Sequence, residues 1–241
     1  MWFRKNRQWF SYEHDIHSHI LPGIDDGVKT FDESLEIIRR MSDLGVRHMT
    51  ITPHIAPPYM PNNRDSICPL LEQLKQLVQE EHLKMQLSVA AEYRVSQLIL
   101  PLIEADDLLS APDRSLLVEH HFFNPSPFFD EAILQSQARG YFPILAHPER
   151  YSHFQDNLVG RCRALRDRDC RIQVNLLSFA GHYGRDVQNA ANELLKAGQI
   201  DFVASDAHNV EHVAEIREFL WSRSAKRVGE YLHKMNYYKY E

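Results

Sequence analysis

The chain has 241 residues, 44% hydrophobic and 25% charged, the composition of a globular protein long enough to bury a sizeable core. Its formal net charge of −6 speaks against broad binding to nucleic acid, and no apolar run approaches the roughly 20 residues of a spanning helix. Three scattered cysteines, Cys68, Cys162 and Cys170, form no CxxC pair; that argues against a disulfide framework or thiolate zinc site and fits a reducing, cytoplasmic compartment.

The N-terminal MWFRKNRQWFSYE is aromatic and basic but lacks the apolar run and cleavage site of a secretory signal. Residues 1–13 are therefore read as an extension, and 14–241 as one domain. The domain opens with a strand at DIHSH. Thr30-Phe31-Asp32-Glu33 is a capping box, with Thr30 at the N-cap and Glu33 three residues on. Leu35, Ile38 and Met41 then recur at helical spacing, and Gly45 closes the helix. The β-branched HMTIT (48–52) reads as a buried strand.

The alternation continues with a helix over 66–84 and strand LSVAA (87–91). Strand SLLVE (115–119) follows a turn containing Pro112. A helix over 128–139 ends at Gly140 before strand PILA (143–146), and a charged helix over 156–168 precedes RIQVN (171–175). A helix over 185–197 ends at Gly198 before DFVAS (201–205), and a helical region over 210–233 comes last. Strands alternating with helices predict a parallel sheet with helices outside, and about seven such units suggest a barrel one unit short of the (β/α)8 design. The doubly wound open sheet is the competing architecture.

The strand ends carry an unusual set of polar residues. The first strand ends in His17-Ser18-His19, the second runs into Thr52-Pro53-His54, the third into Ala91-Glu92, and the fourth ends in Val118-Glu119. The fifth ends in Ala146-His147, the sixth in Asn175, and the seventh in Asp206-Ala207-His208. In a parallel barrel these positions share the C-terminal rim, where such enzymes build their sites. A lone histidine is usually a packing or surface residue; His, Asp or Glu at the ends of six of seven strands is hard to assign to packing.

Spacing supports a metal site. Residues i and i+2 of a strand face the same side, so His17 and His19 can aim at one ion, and Asp206 and His208 share the relation. The stretch ILPGIDDG turns the chain at Pro22 and Gly23, so that Asp25 or Asp26 folds back to the rim. Glu92 is placed to bridge two ions. Imidazole and carboxylate without thiolate suit Mn²⁺, Fe²⁺, Zn²⁺ or Mg²⁺, and close ions of this kind serve phosphate-ester hydrolysis. In AHPERY, Arg150 stands where a guanidinium can bind two phosphate oxygens. Arg94, on the same side of its strand as Glu92, is a second substrate-binding candidate.

HSHILPGIDDG, TPHI, AAEYRV, LLVE, AHPERY, QVNLLSFAG and ASDAHN, in that order from residue 14 to about 210, resemble the PHP (polymerase and histidinol phosphatase) superfamily. More narrowly, they resemble its bacterial protein-tyrosine phosphatases found with capsule and exopolysaccharide genes. The resemblance implies a distorted (β/α)7 TIM-like barrel holding three divalent ions, manganese first, with iron or zinc as alternatives. It makes His17, His19, Asp26, His54, Glu92, Glu119, His147, Asp206 and His208 the ligands, with Glu92 bridging and Arg150 on the phosphate. Arg150, Glu92 and His54 form the expected catalytic group. A metal-bridging hydroxide would attack phosphorus, and the substrate would be phosphotyrosine on the tail of a bacterial tyrosine autokinase controlling polysaccharide assembly. Ala91 departs locally from a glycine common at that point in the family.

Three rival readings remain. Cys162 to Arg168 matches the C-x₅-R spacing of thiolate phosphatases, but the stretch has no internal glycine and reads as a charged helix. Another PHP phosphoesterase, such as a histidinol-phosphate phosphatase, would share the ligands. A non-catalytic metal-binding scaffold for the kinase would share them too. Phe122, Phe123 and Phe128 flank NPSP and either line a tyrosine-ring pocket or pack the loop onto the barrel.

Overall fold

The computed structural model describes residues 12–234. Of the expected N-terminal extension, only Tyr12 and Glu13 fall inside the described residues. Nine strand segments are present: β1 (His14–Asp15), β2 (His48–Ile51), β3 (His54–Ile55), β4 (Gln86–Val89), β5 (Glu92–Arg94), β6 (Ser115–Glu119), β7 (Phe142–Leu145), β8 (Arg171–Asn175) and β9 (Phe202–Ala204). The α-helices are α1 (Phe31–Asp43), α2 (Arg64–Glu80), α3 (Leu100–Glu104), α4 (Phe129–Ala138), α5 (Leu158–Arg166), α6 (Leu176–Ala180), α7 (Arg185–Lys196), α8 (Val210–Leu220) and α9 (Arg223–Lys234).

Every pairing between the strands is parallel. β2 pairs with β4 and β3 with β5, so β2–β3 and β4–β5 are each two segments of one strand course. The nine segments thus make seven courses, in the order β1, β2–β3, β4–β5, β6, β7, β8, β9. The first and last courses also meet. Beyond β1 and β9, Ser18 bridges Ala207, with Asp206 N donating to His17 O and His19 N to Ala207 O, each at 2.9 Å. That contact returns the sheet to its first strand and decides against the open doubly wound alternative.

Several boundaries differ from the sequence expectation for local reasons. The Thr30–Glu33 capping box is present as read. α2 starts earlier than Ser66 because Asn63 is the cap: its Oδ1 accepts from Ser66 N, and Ser66 Oγ accepts in return from Asn63 N. It ends before Lys84, where His82 turns into the left-handed region at φ 54°. The C-terminal helical region is two helices, since Ser222 Oγ accepts from Ala225 N and starts a new one. The short helices α3 and α6 were not expected; at five residues each they are too brief to show a periodicity.

The main core lies between the strands and the helices, built from residues such as Ile38, Met49, Leu74, Leu145 and Ile216. A smaller cluster of Leu117, Ile144 and Ala146, flanked by Ile16 and Phe202, is separate from it. Leu117 precedes Glu119 by two residues within β6, so alternation puts both on the same face. That face turns inward: apolar at one end, carboxylate-bearing at the other.

Asp15 fastens the closure. It is buried and accepts from Ser205 N and Ser205 Oγ, on the last course, and from the Tyr12 hydroxyl. Asp15→Ala removes the carboxylate that accepts these three hydrogen bonds and is expected to cost about 3 kcal/mol, read as a lower denaturant midpoint with an unchanged slope.

Candidate metal centre

All nine side chains expected as ligands reach one region at the C-terminal ends of the strands. Their nitrogen and oxygen atoms fall into four overlapping groups: His19, Asp26, His54 and His208; His17, His147 and Asp206; His17, His19 and Glu92; and His54, Glu92 and Glu119. Within each group the donor atoms lie within 4.8 Å of one another.

Glu92 is the hub. Its Oε2 lies 3.2 Å from His17 Nε2, 3.2 Å from His19 Nε2 and 3.1 Å from His54 Nδ1, and its Oε1 lies 3.0 Å from His147 Nε2. Asp206 Oδ1 lies 3.3 Å from His17 Nε2 and 3.4 Å from His19 Nε2. His54 and His208 face Asp26 Oδ1 at 3.5 and 3.4 Å. Two donors about 2.1 Å from one ion, 90–110° apart, would stand about 3.0–3.4 Å from each other. The spacing of these atoms matches that of a shared cation.

The buried valences fit as well. Glu92 Oε2, Asp206 Oδ1 and His54 Nδ1 are buried and have no hydrogen-bond partner among the described residues. Such atoms are costly unless something completes them. Burial and the neighbouring Glu92 charge push Glu119 up to about 8, against the pull of Arg94. Burial lowers His54 to about 4, whereas for His17 the Glu92 and Asp206 carboxylates overcome the same desolvation and raise it to about 9. Divalent cations would answer this unevenly shared charge.

Local backbone and neighbouring side chains aim the clustered groups. His147 and Asp206 both leave their strands in the left-handed region, at φ 35° and 50°. Asp25 accepts from His19 Nδ1 at 2.9 Å, leaving His19 Nε2 to face inward, and also from the backbone N–H groups of Gly27 and His54. The choice between the two aspartates is thereby divided: Asp26 joins the cluster and Asp25 orients it. Gly27 is required by space, since a Cβ there would lie 2.0 Å from His19 O.

A second chain of contacts was missed from sequence. His17 Nδ1 donates to Gln173 Oε1, Gln173 Nε2 to Asn175 Oδ1, and Asn175 Nδ2 to Asp206 Oδ2. The signal was available, because Gln173 and Asn175 alternate with the apolar Ile172 and Val174 along β8. Glu149 was also passed over. It is buried, raised to about 7 by desolvation, and its Oε1 accepts from Ser178 Oγ and Asn175 N, tying the turn after His147 to α6.

Water reaches the centre from one side. His17, His19 and Glu92 are fully buried, whereas the side chains of Asp26, His208, Arg94 and Arg150 are 56%, 18%, 27% and 20% exposed. A cavity of about 230 Å³ lies there, lined by both arginines and by Phe122. Arg94 Nε and Nη2 are each 3.0 Å from Glu119 Oε1, and Arg150 Nη1 donates to Asp206 Oδ2 at 2.9 Å. Of the three phenylalanines, Phe122 lines the cavity, Phe128 packs against the core and Phe123 is 72% exposed.

A family model described as "Capsular polysaccharide synthesis, CpsB/CapC" matches residues 13–237. The chain belongs to that family. It is 30% identical over 198 residues to the tyrosine-protein phosphatase YwqE of Bacillus subtilis (strain 168), an alignment covering 82% of this chain and 78% of that protein. To the tyrosine-protein phosphatase CpsB of Streptococcus pneumoniae it is 25% identical, covering 89% of this chain and 90% of that one. A solved structure from work on YwqE and CpsB, described as unique metal-dependent tyrosine phosphatases, superposes with a TM-score of 0.78 at 28% identity over 90% of this chain and 91% of that one. Histidinol phosphate phosphatase of Lactococcus lactis shares the fold, with a TM-score of 0.55 at 15% identity over 90% of this chain and 94% of that one.

The thiolate alternative fails on geometry. Cys162 is fully buried inside α5, and Arg168, the arginine of the C-x₅-R match, is paired with Asp130 at 2.6 Å. Burial raises both the Cys162 and the Cys170 thiol, Cys170 to about 12. Iodoacetamide is expected to label native protein at the partly exposed Cys68 alone, and all three cysteines after denaturation; peptide mass spectrometry reads the difference.

Proposed function

We propose that the chain is a metal-dependent protein-tyrosine phosphatase whose substrate is phosphotyrosine on the tail of a bacterial tyrosine autokinase, regulating capsular or exopolysaccharide synthesis. The observation that carries this reading is the buried Glu92 carboxylate, facing four imidazoles with one oxygen unsatisfied, beside a cavity lined by Arg150 and Arg94. Three divalent ions, manganese in the first place, would be held by the nine converging side chains, with Glu92 shared between ions. The domain is taken as 14–241, preceded by the extension 1–13. A cytoplasmic setting agrees with three free cysteines.

Bound divalent ions supply an acidified water and neutralise phosphoryl charge. The chain's own residues do the rest. Arg150 offers N–H donors to the phosphoryl oxygens from the open side of the centre, and its contact with Asp206 holds it against the ligand cluster. Arg94 places a second cation at the same opening while fixing Glu119. The buried floor keeps bulk water off the far side of the cluster. Asp25 and Gln173 hold the tautomers that leave His19 Nε2 and His17 Nε2 free to bind.

Hydrolysis of a phosphotyrosine peptide tests the reading. Chelator-stripped protein is expected to be inactive and to regain turnover with Mn²⁺; turnover indifferent to stripping, or much faster hydrolysis of histidinol phosphate, would overturn it. Arg150→Lys keeps the charge but loses the forked donor, and is expected to lower kcat/KM about 100-fold at unchanged metal content.

A further inference from the structure

The arginine at the mouth is held by more than one ion pair. Arg150 Cζ lies over the Phe122 ring at 4.5 Å from its centroid and over the Tyr183 ring at 4.1 Å. Phe122 comes from the loop after β6, Arg150 from the turn after β7, and Tyr183 from the turn between α6 and α7, after β8. Three consecutive strands therefore contribute to one cradle. Among the described residues, the side chain of Arg150 makes one hydrogen bond, from Nη1 to Asp206. A guanidinium has five N–H donors, so most of its edge is open towards the cavity that both rings line.

We infer that Phe122 and Tyr183 are positioning residues that hold the Arg150 guanidinium plane, so that its free N–H edge is preset for the phosphoryl oxygens. This rests on the phosphatase reading for its substrate but not for its geometry. An unrestrained arginine at a cavity mouth samples many rotamers and must lose that freedom when an anion binds. Two aromatic faces remove part of the loss beforehand, since a guanidinium is attracted to a π face while its edge stays available. Asp206 fixes the remaining rotation from the metal side. Phe122 thereby acts on the arginine, not on the ring of the substrate tyrosine.

The test measures binding of inorganic phosphate to Mn²⁺-loaded protein by calorimetry, alongside kcat/KM on a phosphotyrosine peptide, for Phe122→Leu, Tyr183→Leu and Tyr183→Phe. Each leucine variant is expected to weaken phosphate about 10-fold, as loss of one cation–π contact implies, with metal content and melting temperature retained. Tyr183→Phe, which keeps the ring, is expected to restore most of what Tyr183→Leu loses. In an Arg150→Lys background, Phe122→Leu should cost little further, because the group it positions is gone. Unchanged phosphate affinity with impaired peptide turnover would overturn the inference and place the rings against the substrate. Full additivity with Arg150→Lys would overturn it as well. If Phe122→Leu fails to fold, the Tyr183 pair decides alone. Phosphate binding also separates the two ideas: protein that turns over no phosphotyrosine yet shows the expected phosphate losses contradicts the substrate, not the cradle.

Discussion

A carboxylate shut away from water among imidazoles is the condition around which this molecule is built. Removing an ion such as that of Glu92 from water costs several kcal/mol unless other charges and hydrogen bonds answer it. Here the answer comes from three other strands at once: His17 and His19 from the first, His54 from the second and His147 from the fifth. The parallel arrangement makes this possible, because every strand delivers its end to the same rim. The apolar cluster of Leu117, Ile144 and Ala146 on the inward face lets the other end of the ring close without a second polar demand.

Support for the cluster is organised in two layers, both largely buried. Gln173, Asn175 and Asp25 orient atoms of the cluster from the side and from below. Glu149 and Ser205 fix the segments that carry them. Only toward Asp26, His208 and the two arginines does the arrangement open. The pattern is asymmetric: rigid where donors must keep their spacing, and solvent-accessible where an anion must enter and leave.

Much of this was readable in the sequence, for identifiable reasons. The order of strands follows from short β-branched runs between capped helices, and SLLVE and RIQVN match their strands residue for residue. The nine cluster residues were visible because each sits at a strand end or in the DDG turn, where packing offers no reason for its polarity. What escaped notice was polarity with a packing role. Glu149 lay inside a motif already assigned to its neighbours, Asp15 shares the alternation of His17 and His19 without reaching the centre, and Tyr183 sits in a turn that no periodicity marks. The α2 boundary was misplaced because asparagine and serine cap helices about equally well, and only the reciprocal bonds between Asn63 and Ser66 show that Asn63 is the cap and Ser66 the third residue.

The closure between the first and last strands has a consequence for how the protein comes into being. Asp15 and its partner Ser205 are separated by 190 positions, and His17 and His19 wait on Asp206 and His208 from the same distant segment. Contacts so far apart in the chain form late and slowly. Asp206 can face His17 and His19 only once the last strand has docked beside the first. The nine-residue cluster is therefore complete only when the ring is, because a chain whose last strand has not docked lacks Asp206 and His208 from the rim.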